Sequence, residues 1–147
     1  MISGSKLALM AALVGSVACT SGRHSTSAFH LPPDGDVDRG KAAFVSLGCS
    51  NCHEVSGVNL PKPTVQPTVP VKLGGAVGIR LTDAYLVTSI VYPNHDLAPY
   101  PKNEITIDGQ SRMPHYPDTM TIRQLTDIVA FLQSTYYVSR QPDDYGR

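Results

Sequence analysis

Residues 48–54 read GCSNCHE, with two cysteines and a histidine confined to positions 49 to 53. Which chemistry so dense a cluster serves depends on the chain around it. Upstream, DGDVDRGKAAFVSLG (34–48) reads as a helix: Asp36 is placed to cap it, Val37, Gly40, Phe44 and Leu47 recur on one face, and Gly48 stops it. That helix delivers Cys49 from its C-terminal end.

Downstream, residues 54–79 contain no apolar period long enough for an element. LPKPTVQPTVPVKLGGAVG (60–78) is expected to be an extended loop stiffened by proline. A second helix follows in LTDAYLVTSIVYP (81–93), with Thr82 as its cap, Leu81 and Leu86 as a staple across the cap, and Pro93 as its stop. Ile105 and Ile107 alternate briefly before an Asp-Gly pair, which predicts at most a small ribbon. The strongest helical signal is TIRQLTDIVAFLQSTYY (121–137). Here Thr121 and Gln124 form a capping box, and Ile122, Leu125, Ile128, Val129 and Leu132 line one face. The polar residues from 139 to 147 are expected to fray.

Composition narrows the function. The chain has 147 residues, 41% hydrophobic and 16% charged, which suits one modest domain, expected over residues 34–138. Twelve basic residues balance twelve acidic ones and no long basic block occurs, so nucleic acid has no electrostatic foothold. No internal repeat, glycine-rich phosphate loop or serine-nucleophile motif is present. Twelve prolines, twelve glycines and no tryptophan describe a loop-rich protein with a small core, a kind that usually needs a covalent or metal staple.

The N-terminus bears on the cysteines. Residues 1–18 carry one lysine, Lys6, followed by an apolar and small run from Leu7 to Ala18, too short to span a bilayer and suited to a secretory signal. Cys19 follows directly, as in bacterial lipoprotein signals, in which that cysteine is lipidated; Ser16 stands where such signals favour leucine. Residues 19–33, with His24 and His30 taken as solvated, read as a flexible tether reaching a few nanometres. Export to the periplasmic side of a bacterial membrane leaves three cysteines that cannot all pair. A lipid on Cys19 and another role for Cys49 and Cys52 account for all three.

Zinc would need a fourth ligand beside Cys49, Cys52 and His53, and only His95 or His115 at unfamiliar spacing could supply it. A thioredoxin-like pair belongs at a strand-to-helix junction, whereas this one follows a helix. Covalent haem needs two thiols, one for each vinyl group, and a neighbouring histidine that reaches the iron; CSNCH (49–53) supplies all three, and the thioethers act as the staple.

With these motifs in hand, residues 36–136 resemble a monohaem cytochrome c of the class I type. The resemblance implies a mainly α fold with three main helices and long ordered loops around one covalent haem c. Gly40 is then the point of close helix approach, and Phe44 packs beside the haem. The family's methionine ligand, found before a proline and upstream of the last helix, matches Met113 in SRMPHYP (111–117). Met120 has an alternative explanation as a staple before cap Thr121. A proline carbonyl that orients the histidine is matched by Pro70, with Pro61, Pro63 and Pro67 as alternatives, and Arg80 matches an arginine that pairs with a propionate. Tyr100 and Tyr116 flank the methionine and serve either as propionate donors or as packing.

The resemblance implies a one-electron carrier rather than an enzyme, working with redox protein partners or a membrane respiratory or dehydrogenase complex. The alternative is a haem enzyme or gas sensor with a displaceable sixth ligand. Without residues 1–18 the chain keeps eleven basic and twelve acidic residues, so long-range steering of a partner is weak and a lipid tether would supply local concentration instead.

Overall fold

The computed structural model describes residues 29–63 and 69–139. The expected signal over residues 1–18, Cys19, His24, Pro67 and the end of the C-terminal tail lie outside the described residues.

Helix α1 (Val37–Ser46) starts where the Asp36 carboxylate accepts the Arg39 backbone N–H at 2.8 Å. It ends where Gly48 turns left-handed, with φ 76°, and donates its N–H to Val45 O at 3.0 Å. Helix α4 (Ile122–Thr135) opens with the reciprocal Thr121–Gln124 capping box. The two helices cross at Gly40, where an added Cβ would lie 1.9 Å from Asp127 O and 2.8 Å from the Phe131 Cβ. No side chain fits there. One turn further along α1, Phe44 meets Phe131 edge to face with ring centroids 5.6 Å apart.

Helix α2 (Asp83–Val91), capped by Thr82, closes the core with Leu86 and Ile90, while Leu81 packs half-buried against the same cluster. Gln133 ties α2 to α4 by donating to Leu81 O at 2.9 Å and to the Asp83 carboxylate at 3.0 Å. The core is Ala43, Phe44, Val55, Leu86, Ile90, Leu125, Ile128, Val129, Phe131 and Leu132.

Several expectations change. The stretch after the cysteines is not purely loop, because β1 (His53–Val55) pairs in parallel with β2 (Val71–Leu73). Strand β3 (Gly75–Val77) pairs in parallel with β6 (Tyr136–Val138), so the last helix ends at Thr135 instead of running through Tyr137. A single helical turn, α3 (Lys102–Ile105), adds a fourth helix to the expected three. The small ribbon is present as β4 (Thr106–Ile107) and β5 (Gln110–Ser111), joined by Asp108 and Gly109 with φ 50° and 77°. Val37 and Ile122, assigned to buried faces, are 43% and 71% exposed, because each occupies a first helical turn beyond the α1–α4 crossing.

Asp127 is a charged residue that helical periodicity does not mark as buried, yet only 2% of it is exposed. Its carboxylate accepts Arg39 Nε at 2.9 Å, Arg39 Nη2 at 3.1 Å and the Asp36 N–H at 2.9 Å, fastening the start of α1 to α4. The Arg39 guanidinium and the Asp36 amide hold its pKa below the ordinary carboxylate range. A depressed carboxyl stabilises the fold above its unfolded pKa, about 3.9, and loses that contribution as pH falls through the folded value. Asp127→Asn is therefore expected to lower the urea midpoint at pH 7 and to approach wild type below pH 3; an equal loss at both pH values would contradict the charge argument.

Candidate haem site

Past Gly48 the chain makes one tight turn, Cys49–Asn51, in which Asn51 N–H donates to Gly48 O at 3.0 Å and Cys52 N–H donates to Cys49 O at 3.1 Å. The turn leaves Cys49 half-buried against the core and Cys52 exposed, with no disulfide among the described residues. Burial pushes the Cys49 thiol above its ordinary pKa. The pair lies between α1 and β1 rather than at the strand-to-helix junction of a thioredoxin-like site, so that reading loses support. Among the described residues no three His, Cys, Asp or Glu side chains converge as a metal cluster.

His53 opens β1 beneath Phe44, their ring centroids 6.3 Å apart. The parallel register sets His53 opposite Val71, whose N–H donates to Cys52 O at 3.0 Å. The Val71 carbonyl then lies 3.2 Å from His53 Nδ1. A carbonyl can only accept, so the neutral ring carries its proton on Nδ1 and keeps the Nε2 lone pair for a ligand bond. Burial lowers the His53 pKa, opposed by the Val71 bond, and keeps the ring in the neutral form that a metal requires.

The orienting carbonyl is therefore that of Val71, one residue beyond Pro70. Strand pairing decides this, since β2 begins at Val71. Sequence reading missed Val71 because the β1–β2 pairing leaves no periodic trace in three-residue strands. Arg80 is exposed and makes no hydrogen bond or ion pair among the described residues.

Met113 is half-buried against the core, and so is Met120. Met120 N–H donates to Tyr116 O at 2.9 Å, just before the α4 cap. The histidines near the methionine or on the α2 side lie outward: the His115 side chain is 69% exposed and bonds Asp118 at 3.2 Å, and exposed His95 lies tilted beside Tyr85, ring centroids 5.8 Å apart. Tyr116 is buried and donates to Leu47 O at 3.1 Å, with its oxygen 4.0 Å from Cys49 Sγ. That hydroxyl is committed to the backbone rather than to a propionate, and burial raises its pKa. Tyr100 is exposed.

These features fit covalent haem: among the described residues, two thiols at the required spacing form no disulfide, and a histidine has Nδ1 taken and no partner at Nε2. Val58, Leu60, Leu73, Leu81, Met113 and Met120 add a half-buried apolar rim on the core. No solved structure matches the chain. The family model for cytochrome c matches residues 37–136, from the first residue of α1 to the first of β6. The chain belongs to the cytochrome c family, whose members hold haem c covalently and are in general electron-transfer proteins, and its Cys49–Cys52 spacing is consistent with one such haem.

Proposed function

We propose that the protein is a monohaem one-electron carrier with His53 and Met113 as axial ligands, Cys49 and Cys52 as the thioether positions, and Arg80 facing a propionate. The observation that carries this reading is the His53 Nδ1 contact with Val71 O at 3.2 Å, which fixes the tautomer and orients Nε2 in the manner of a metal-ligating histidine. Met113 is the half-buried sulfur ligand in a loop with no helical role, whereas His95 and His115 are exposed. Bound here, the group supplies a reversible one-electron couple. His53 and Met113 would hold the iron, and the half-buried apolar side chains on the core would surround it. A thioether ligand and apolar burial both favour the ferrous state and raise the potential.

Cys19 is the lipid attachment in this reading, which holds the domain on the periplasmic side of a bacterial membrane, next to a redox partner in a respiratory or dehydrogenase chain. Such partners dock through small, transient interfaces. Carbon monoxide added to the ferrous protein tests the closed coordination: a carrier keeps its spectrum, and a prompt shift at low gas pressure would favour a haem enzyme or sensor. On the same sample, peptide mass must find a haem increment on residues 49–53 and a lipid increment on Cys19. An unmodified Cys19 in the membrane fraction would remove the anchor.

A further inference from the structure

The segment around Met113 is tied down at two ends. Upstream, Ser111 N–H donates to Asn94 Oδ1 at 2.7 Å, and Ser111 Oγ accepts the Met113 N–H at 3.2 Å. Asn94 Nδ2 also donates to Gln110 Oε1, so the turn Pro93–His95 grips β5 at two adjacent residues. Downstream, Tyr116 is 6% exposed, and its hydroxyl reaches Leu47 O at 3.1 Å, across 69 residues of sequence. Its backbone carbonyl accepts from both Thr119 and Met120 at 2.9 Å, closing the turn that leads into α4. Among the described residues, every hydrogen bond between segment 112–120 and segment 47–55 runs through the Tyr116 hydroxyl. One side chain thus links the methionine loop to the attachment segment.

Resting on the His53/Met113 reading, we infer that Tyr116 and Asn94 are positioning residues that clamp the Met113 loop and set how readily Met113 leaves the iron. The two anchors lie two residues before Met113 and three residues after it, so neither end can swing away without breaking a hydrogen bond. Leu47 O sits at the C-terminal cap of α1, where a carbonyl lacks a helical partner, so deleting the phenol hydroxyl strands a part-buried acceptor. An external ligand can reach the iron only from the state in which Met113 has moved off. Its apparent affinity is the intrinsic affinity multiplied by the population of that open state. Anything that weakens the clamp raises that population and tightens the ligand by the same factor.

The probe is potassium cyanide titrated into the ferric holoprotein at fixed pH. Tyr116→Phe and Asn94→Ala are each expected to tighten cyanide binding by about tenfold, the effect of losing one part-buried hydrogen bond. Met113→Ala tightens it further, because no ligand remains to be displaced. Asp127→Asn serves as the control, because it loosens the fold at the α1–α4 junction and should leave cyanide affinity at the wild-type value. Tightening in Asp127→Asn equal to that in Tyr116→Phe would overturn the clamp in favour of general loosening. Tightening confined to one anchor overturns the assignment of the other. Should Tyr116→Phe fail to load haem, Asn94→Ala, remote from the attachment segment, decides the matter. If Met113→Ala tightens cyanide while both anchor variants stay within about twofold of wild type, the inference fails and the ligand assignment stands. If Met113→Ala itself changes nothing, the ligand assignment fails and the clamp falls with it.

Discussion

Gly40→Ala is expected to keep the haem-loaded domain from accumulating, with a loss of about 3 kcal/mol or more where any holoprotein is recovered. An ordinary overpacked methyl is relieved when a neighbouring side chain moves, but here the obstacles are main-chain atoms. The added carbon would sit 1.9 Å from Asp127 O and 2.5 Å from Asp127 C, on the opposing helix. Relief requires α1 and α4 to separate. Separation would pull apart the Phe44–Phe131 edge-to-face pair and the Arg39–Asp127 ion pair, and would move Cys49 with the end of α1. Gly78→Ala is the matched control, since nothing lies within 4 Å of its added carbon, and it should fall within about 0.5 kcal/mol of wild type. Urea midpoints of the two holoproteins check the pair; equal midpoints would show that the close crossing is not needed.

With Met113 as the proposed ligand, Met113→Ala has the largest expected effect on function. Axial ligands set haem potentials over roughly 0.8 V, and removing the thioether should lower the potential by a substantial part of that span. The ferrous form should gain carbon monoxide binding, since one axial position opens. The fold should survive, because the methionine rests on the edge of the core and is not among its fully buried residues. Met120→Ala separates ligand from packing: it removes a similar half-buried thioether beside the α4 cap, so it should cost stability while leaving potential and spectrum unchanged. Equal potentials for wild type and Met113→Ala by redox titration would remove Met113 from the iron.

The helices were legible because each carries its own punctuation. Asp36, Thr82 and Thr121 accept the N–H groups that helix starts leave unpaired, and Gly48 adopts the left-handed turn that ends α1. The attachment motif was legible for a different reason: its three functional residues are consecutive enough that chemistry needs no fold to assemble them. What escaped the sequence is what depends on distant pairing. Strands of three residues have no period to detect, so the register that sets Val71 against His53 appears only in three dimensions, and Pro70 was one residue short. Asp127 falls at a helical position where a charge normally means solvent, and only the partnership with Arg39 and Asp36 explains its burial. Tyr116 is a sequence neighbour of the methionine, yet its bond to Leu47 joins segments 69 residues apart.

The central claim is that His53 and Met113 together close the coordination of one covalently held haem. The far-red spectrum of the oxidised protein at neutral pH tests it most directly, because a methionine-to-iron charge-transfer band arises there only with a thioether ligand in place. The account predicts that the band is present in wild type, retained in Met120→Ala and abolished in Met113→Ala. A wild-type protein without the band, or a Met113→Ala variant that keeps it, would contradict the account.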